Sequence, residues 1–381
     1  MSSIMECIEI GKGIHGIVRE KVLPDGRCVA VKTITCDYME GYIQDGVYDS
    51  FLRELLALNK LKLVDGVVQI ESFSLRRIKG ETLCEITMER LDCNLSTYCE
   101  NICITNRRIV YPHLLEQMKM ALSTIHDMNI IHRDVKLENI LVDTQNGLFK
   151  LCDFGSSCFM NNKDKWIKCE EVVYPRDCRP PEVEMMKQYN TTADVWSLCI
   201  TLIVFLSGGR INNPPEEVKS IPSLNLKYKG RLCYKHIGTR IDIRRYVRDH
   251  LWEEDIRMLE ESLHDMSTVD PRERLSLKRD IEIVDDSEFN DVNLRKEYEY
   301  IASKVGYSKR TVDESLRLYQ RLKVDSDNAA ITCFILVSKI IEIEVKHTKD
   351  ILSLWGHNSS YLDIVRMEIE LIKKVKGIII D

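Results

Sequence analysis

Several features are missing from this 381-residue chain, and each absence removes a class of protein. Its 14 cysteines contain no C-x-x-C pair, and its first residues lack the basic and apolar stretches of a signal peptide. We therefore expect reduced thiols, no structural zinc, and an intracellular location that is cytoplasmic, nuclear or both. The longest apolar run, residues 195–206, contains Ser197 and Thr201 and is well short of the roughly 20 residues that cross a bilayer. It predicts a core helix, and no membrane partner is expected.

Charge and length limit the function further. The formal net charge is −6, so there is no basic excess and nucleic acid is not an expected partner. Because 44% of the residues are hydrophobic, the chain can bury a sizeable core, and its length predicts two or three domains.

The most informative segment is residues 132–139, which read H-R-D-V-K-L-E-N and are followed by D-F-G at 153–155. It supplies a candidate general base, Asp134, and a candidate phosphate-contacting cation, Lys136. Asn139 and Asp153 add two oxygen ligands of the kind that Mg²⁺ prefers. The spacing of these groups is the one that phosphoryl transfer needs.

A glycine-rich segment precedes these residues. Gly11, Gly13, Gly16 and Val18 form a complete G-x-G-x-x-G-x-V pattern, which can turn tightly and expose backbone N–H groups to phosphates. The alternating apolar residues of V-A-V-K at 29–32 then predict a strand that carries Lys32. Together the two segments predict a nucleotide clamp.

In this order the motifs resemble those of eukaryotic-type serine/threonine protein kinases, in particular the cyclin-dependent kinases. Residues 50–58 have helical apolar spacing and resemble the αC helix of that family, which implies that Glu54 pairs with Lys32. R-P-P-E at 179–182 and D-P-R-E-R at 270–274 resemble two later motifs, in which Glu182 and Arg274 normally bridge. The resemblance covers about residues 8–283.

The resemblance implies a fold, an activity and cofactors. The expected fold is α+β: a bilobal protein kinase with a small β-rich lobe and a large helical lobe. The implied activity is transfer of the γ-phosphate of ATP, with Mg²⁺, to hydroxyls of protein substrates. In it Asp134 orients the hydroxyl, Lys136 neutralises the γ-phosphate, and Asn139 and Asp153 hold the metal. A lysine two residues after the aspartate, as at position 136, resembles the pattern of the serine/threonine-specific branch of the family.

The family also implies an adenine site. The apolar strand at 83–87 leads into a hinge at 88–91, where the backbone of Glu89 and Leu91 would meet adenine. Met88 is then the gatekeeper, although a role as core filler of the strand fits equally well. Ala30 is the further residue assigned to nucleotide binding.

Residues 290–381 do not continue the kinase pattern and predict five short helices. Residues 327–342 and 360–371 resemble the central and fifth helices of a cyclin box. In cyclins the matched lysine and glutamate hold the loop that precedes αC, and the resemblance implies this role for Lys339 and Glu368. The alternative is an ordinary helical domain in which these two residues form a local or surface pair. The first helix, near 295–306, lacks the tryptophan pattern common in cyclins, and Ile341 replaces an expected acidic residue.

These resemblances predict the domain organisation and the partners. We expect a kinase domain at 1–285, with lobes at about 1–89 and 90–285, and a cyclin-box-like domain at 290–381. The helical domain would activate the kinase in cis, or in trans if the segment at 283–290, about 30 Å when extended, is too short. Alternatively the chain is a pseudokinase or scaffold that binds other kinases or cyclins.

The sequence departs from the family in its activation segment. Between Phe159 and Asn190 there is no Ser or Thr, so Tyr174 and Tyr189 carry the remaining hydroxyls there. The carboxylates at 170–171 could meet Arg133 as a substitute for an activating phosphate, or they could simply be solvated.

Two further departures affect regulation and substrate geometry. Ile14 and His15 stand where related kinases carry inhibitory phosphorylation sites, so those sites are absent. The V-Y-P sequence at 173–175 replaces a threonine-bearing segment, and no preference for proline-directed sites is predicted.

Overall fold

The computed structural model describes most of the chain. It covers residues 8–13, 16–34, 48–78, 81–160, 165–169, 174–208, 236–237, 240–241, 243–245, 251–279, 292–322, 326–341, 348–355 and 361–374. Packing divides the chain into two compact units. The first unit comprises Met1–Leu63, Gln69–Arg90 and Glu282–Asp381, and the second comprises Val64–Val68 and Leu91–Ile281. This division groups the C-terminal helices with the N-terminal sheet, so it does not separate the kinase domain from the helical domain. The predicted domain boundaries therefore stay a prediction.

The first unit contains an antiparallel sheet whose strand order is β1-β2-β3-β5-β4. Its strands are β1 (Ile8–Gly13), β2 (Gly16–Val22), β3 (Cys28–Ile34), β4 (Ile70–Ile78) and β5 (Glu81–Glu89). β3 alternates between buried and less buried positions along most of its length, as a strand with one face on a core does. A tight turn joins β2 to β3, where Gly26 adopts a φ of 86° that favours glycine.

Helix α1 (Asp49–Lys60) belongs to the same unit. Leucine, alanine and glutamate are strong helix formers, and Asp49 in the first turn places a negative charge at the positive end of the helix dipole, which stabilises the helix. The residues from Phe51 to Leu58 are buried except Arg53, so α1 is covered on more than one side. A helix that packed only on the sheet would leave a broad polar face.

One of the C-terminal helices packs against α1 in addition to the sheet. The C-terminal helices are α7 (Val292–Val305), α8 (Lys309–Leu322), α9 (Asp327–Ile341), α10 (Thr348–Leu354) and α11 (Tyr361–Lys374). The central helix, α9, packs against α8 and α11 and also against α1. Its residues 329–340 are all buried. This is the pattern of a helix surrounded by others.

Ser326 caps α9, which begins at Asp327: the hydroxyl of Ser326 accepts a hydrogen bond from the N–H of Ala329, 3.1 Å away. Asn328 is therefore helical.

The second unit is mainly helical. It contains β6 (Cys93–Asn94), α2 (Leu95–Asn101), α3 (Ile104–Asp127), β7 (Ile130–Ile131), β8 (Ile140–Asp143), β9 (Leu148–Leu151), β10 (Cys158–Phe159), β11 (Ile167–Lys168), α4 (Pro181–Glu184), β12 (Gln188–Tyr189), α5 (Thr192–Leu206), β13 (His236–Ile237), β14 (Arg240–Ile241) and α6 (Glu253–Ser262). The predicted core helix is α5, of which all residues but one are buried. Across the described residues, no helix combines the length and apolar character that a bilayer crossing requires.

Phe334 offers a test of the C-terminal core. It is fully buried on α9, and its ring centroid lies 5.0 Å from that of Tyr298. Phe334→Ala should lower the free energy of unfolding by about 3–5 kcal/mol, because the lost contacts leave a cavity. Urea unfolding followed by tryptophan fluorescence measures this. Tyr300→Ala is the matched control, since Tyr300 is exposed on α7 and should cost about 1 kcal/mol or less. Equal losses in the two variants would contradict the assigned core.

Candidate active site

The glycine-rich segment forms the hairpin of β1 and β2. Gly11 pairs with Val18, and Gly13 pairs with Gly16, while residues 14 and 15 lie outside the described residues. At Gly16 the φ is 130°, and an added Cβ would lie 2.3 Å from the backbone oxygen of Thr33. Only glycine fits there, because the hairpin approaches β3 without room for a side chain.

Lys32 and Glu54 meet as predicted. The Nζ of Lys32 on β3 lies 2.6 Å from the Oε2 of Glu54 on α1, and both side chains are buried. The neighbouring Arg53 instead pairs with Asp49 along the same helix. Because leaving one charge of such a buried pair without its partner is costly, Lys32 and Glu54 together fix the position of α1 relative to β3.

The residues assigned to adenine lie at the end of the sheet. Ala30 and Met88 are directly paired positions of β3 and β5, and both are buried. The backbone N–H of Glu89 donates to the oxygen of Gln69 at 3.0 Å, so it is already used within the first unit. Leu91 is buried and belongs to the second unit.

The second unit holds the candidate catalytic loop. The Nζ of Lys136 lies 2.9 and 2.8 Å from the two carboxylate oxygens of Asp134. The side-chain amide of Asn139 donates to the backbone oxygen of Asp134 at 2.9 Å and to its Oδ2 at 2.7 Å. Burial disfavours the charge on Lys136, but the Asp134 carboxylate outweighs it, so the pKa of Lys136 is raised. The loop therefore presents a charged pair in a fixed geometry.

Asn139 and Asp153 fit the predicted metal role. Both N–H bonds of the Asn139 amide point to Asp134, and the Oδ1 of Asn139 makes no hydrogen bond among the described residues. An amide oriented in this way presents its oxygen, the atom that Mg²⁺ binds. Asp153 adopts a left-handed φ of 62° at the start of the D-F-G turn. Its backbone strain is of the kind found at functional sites.

The carboxylate of Asp194 on α5 anchors the backbone of the H-R-D loop. Its carboxylate accepts hydrogen bonds from the backbone N–H groups of His132 (2.8 Å) and Arg133 (2.9 Å) and from the ring of His126 (3.0 Å). Burial alone would favour the neutral acid, but these hydrogen bonds and the neighbouring imidazoles lower the pKa of Asp194. The carboxylate holds Arg133 in its left-handed conformation, at a φ of 67°.

Sequence reasoning did not assign a role to Asp194, which stands directly before the predicted core helix at 195–206. His126 carried no signal at all, because a lone histidine in a helix is not distinctive. Tyr189 was noted only as a remaining hydroxyl, yet its OH lies 3.2 Å from the Nη1 of Arg133.

The remaining predicted pairs are also formed. Arg274 makes two hydrogen bonds to the carboxylate of Glu182, at 2.7 and 2.9 Å, and both residues are buried. Lys339 on α9 lies 2.6 Å from the Oε1 of Glu368 on α11. Both of these side chains are buried, so this pair is not a surface pair. The carboxylates at 170–171, predicted to meet Arg133, lie outside the described residues.

A small antiparallel sheet with one buried helix, and a helical unit that carries the H-R-D and D-F-G segments, are the two parts of a protein kinase domain. A comparison with family models agrees, since the model described as the protein kinase domain matches residues 5–283. This chain therefore belongs to the protein kinase family. The match ends before α7, so the C-terminal helices lie outside it.

Curated relatives include cyclin-dependent kinases. The chain is 31% identical over 202 residues to the cyclin-dependent kinase 4 homolog of Caenorhabditis elegans, covering 51% of this chain and 48% of that protein. It is 32% identical over 203 residues to cyclin-dependent kinase 4 of Xenopus laevis, covering 52% and 61%. It is also 31% identical over 228 residues to the dual specificity mitogen-activated protein kinase kinase sek-1 of C. elegans, covering 56% and 63%. The matched region thus spans less than two thirds of each of these relatives.

The buried His132 makes stability depend on pH. Its Nδ1 accepts a hydrogen bond from the N–H of Asp134 (3.2 Å), so its Nε2 carries the proton and donates to the oxygen of Cys152 (3.0 Å). Burial lowers the pKa of His132 in the folded chain. The unfolded chain binds a proton below about pH 6.5 that the folded chain does not, so stability should fall as pH falls through that value.

His132→Phe tests this prediction. The variant loses two hydrogen bonds and should be less stable at every pH, but its melting temperature should fall less steeply between about pH 7.5 and 5.5. His113→Phe removes an exposed imidazole on α3 and is the control. A pH slope that is the same in His132→Phe as in the original chain would refute the role of His132.

Proposed function

We propose that the chain is an ATP- and Mg²⁺-dependent serine/threonine protein kinase whose α1 helix is held in place by its own C-terminal helices. The observation that carries the proposal is the buried contact between Lys32 and Glu54. In phosphoryl transfer such a pair aims the lysine at the nucleotide phosphates. The pair exists only when α1 lies close to β3.

The second unit supplies the chemistry. Asp134 would accept the hydrogen bond of the substrate hydroxyl and orient it for attack on the γ-phosphorus. Lys136 is positively charged and bound to Asp134, so it would offset the charge that spreads over the transferred phosphoryl group. Asn139 and Asp153 would hold Mg²⁺, which compensates the charge of the phosphates.

Specificity for serine and threonine is proposed from Lys136, which resembles that branch of the family. Protein substrates follow from the activity.

The C-terminal helices are proposed to act as a built-in, cyclin-box-like activator. One side of α9 carries Ala330, Ile331, Phe334 and Ile335, which face the core of the helical cluster. The other buried side carries Ala329, Cys333, Leu336 and Ile340, which are not part of that cluster and form one stripe at helical spacing. We infer that α1, which packs against α9, covers this second side.

This contact supports activation in cis. Burying two aliphatic side chains contributes about 3 kcal/mol. That free energy shifts an equilibrium between two positions of α1 about a hundredfold. Covalent linkage adds a high effective concentration of the activator, so no separate cyclin is needed.

Two substitutions test the chemistry. Asp134→Asn keeps the shape of the side chain but removes its charge, and Lys32→Met removes the partner of Glu54. Each should reduce phosphate incorporation into a generic basic protein substrate by about 10²- to 10⁴-fold. Asp65→Asn and Lys62→Met, on exposed residues, are the matched controls. Incorporation that survives both active-site changes would refute the assignments, and a wild-type chain that binds nucleotide without transfer would favour a scaffold.

Lys339 and Glu368 test the activator. Removing one member leaves a buried charge unpaired and should cost about 3–5 kcal/mol of stability, whereas replacing both by methionine should be nearly neutral. If the pair holds the loop that precedes α1, as the matched pair does in cyclins, the double variant should lose part of its transfer activity although its melting temperature is retained. Deleting residues 290–381 should lower activity about a hundredfold, on the estimate of the α1 contact given above. Full activity after deletion would end the activator proposal.

A further inference from the structure

We infer that the described parts of the activation segment, residues 153–160, 165–169 and 174–182, are held in place without phosphorylation, and that Tyr189 is the positioning residue that takes the place of a phosphate beside Arg133. The inference rests on the proposed kinase activity for its catalytic consequence. Its structural content, a segment ordered by Tyr189, can be measured separately.

The first argument is the way in which Arg133 is satisfied. Its side chain is buried and donates to three neutral oxygens: the backbone oxygens of Ser156 (2.5 Å) and Ser157 (3.2 Å) and the hydroxyl of Tyr189 (3.2 Å). Among the residues that the structure describes, no carboxylate pairs with it. An activating phosphate would act by pairing with an arginine of this kind. Here the guanidinium would first have to give up its existing hydrogen bonds.

The second argument is the lack of a site that could carry the phosphate. Tyr174 and Tyr189 are the hydroxyl-bearing residues between Phe159 and Asn190. They are 2% and 1% exposed, and the Tyr174 hydroxyl points at Asp194 at 3.5 Å. A modifying enzyme needs an accessible hydroxyl on an extended segment. Neither tyrosine offers one while the segment keeps this structure.

The third argument is that apolar packing does the holding. A cluster of buried side chains joins the segment to the rest of the second unit, and its members are Ile131, Met160, Cys169, Tyr174, Val183, Tyr189 and Ala193. Backbone pairing anchors the segment at two places, where β10 pairs with β7 and β11 pairs with β12. The N–H of Met160 also donates to the oxygen of Asn129 at 2.7 Å.

Tyr189 connects these parts. Its backbone pairs with Ile167 of the segment, its ring meets the ring of Tyr174 edge-on at 6.0 Å, and its hydroxyl accepts from Arg133. Arg133 contacts the start of the segment directly, through Ser156 and Ser157, and Tyr189 links it to the later parts at Ile167 and Tyr174. A hydrogen bond to a charged donor of this kind is worth enough to shift a local opening equilibrium about tenfold.

The test compares three full-length chains: wild type, Tyr189→Phe and Tyr111→Phe. All are treated with a broad-specificity phosphatase, and intact mass verifies that no phosphate remains. Tyr111→Phe is the matched control, because Tyr111 is also a buried tyrosine whose hydroxyl is hydrogen-bonded, to Ser262 at 2.6 Å, and it does not belong to the segment cluster. Hydrogen–deuterium exchange is followed in peptides that cover residues 158–160 and 165–169.

We expect the phosphate-free wild type and Tyr111→Phe to be equally protected in these peptides. Tyr189→Phe should exchange about tenfold faster there, with a kcat lowered by a similar factor and an unchanged KM for ATP. Protection that appears only in phosphorylated protein, or a Tyr189→Phe chain as protected as wild type, would overturn the inference. If the segment is protected but neither treated nor untreated wild type transfers phosphate, the proposed kinase activity fails and the assignment of Tyr189 stands.

Discussion

The buried ion pair between Lys32 and Glu54 is the interaction on which the first unit depends. Removing two charges from water is expensive, and the cost is offset only if the geometry is good and both partners stay in place. Lys32 is fixed by pairing on both sides of β3, with β2 and β5. Glu54 has no such backbone support, because it stands on a single helix. The position of α1 must therefore be fixed by packing, and its contact with α9 accounts for much of that packing.

In the second unit, too, a buried charged group fixes the position of a functional segment. Asp194 is a fully buried carboxylate that accepts from two successive backbone N–H groups of the H-R-D segment. These bonds place the segment against α5 and leave the Asp134 side chain to interact with Lys136 and Asn139. A charged group in the core thus holds the backbone, while the charged groups of the loop stay available for chemistry.

Much of the site could be predicted from the sequence, because its residues lie in contiguous motifs. Lys32, Asp134, Asn139 and Asp153 each stand in a motif whose order is informative, whereas Glu54 follows from the resemblance of residues 50–58 to the αC helix. The role of Tyr189 could not be predicted, because it depends on a side chain 56 positions away from Arg133 that no motif connects to it. The contact of α1 with α9 could not be predicted from periodicity, which shows that a helix face is apolar without showing what covers it. The likeness to cyclins implied only that the C-terminal helices act on α1.

A switch needs an element with two states of similar free energy. In many kinases αC and the activation segment are such elements, and a partner or a phosphate moves them. In this chain α1 is tethered to a covalently linked helical cluster, and the segment is packed around Tyr174 and Tyr189 with Arg133 already satisfied. If both proposals above hold, each element has one deep minimum instead of two shallow ones. Folding itself would then assemble the site, and the stability of the helical cluster and of the segment core, rather than a signalling event, would set how much of the chain is competent for transfer.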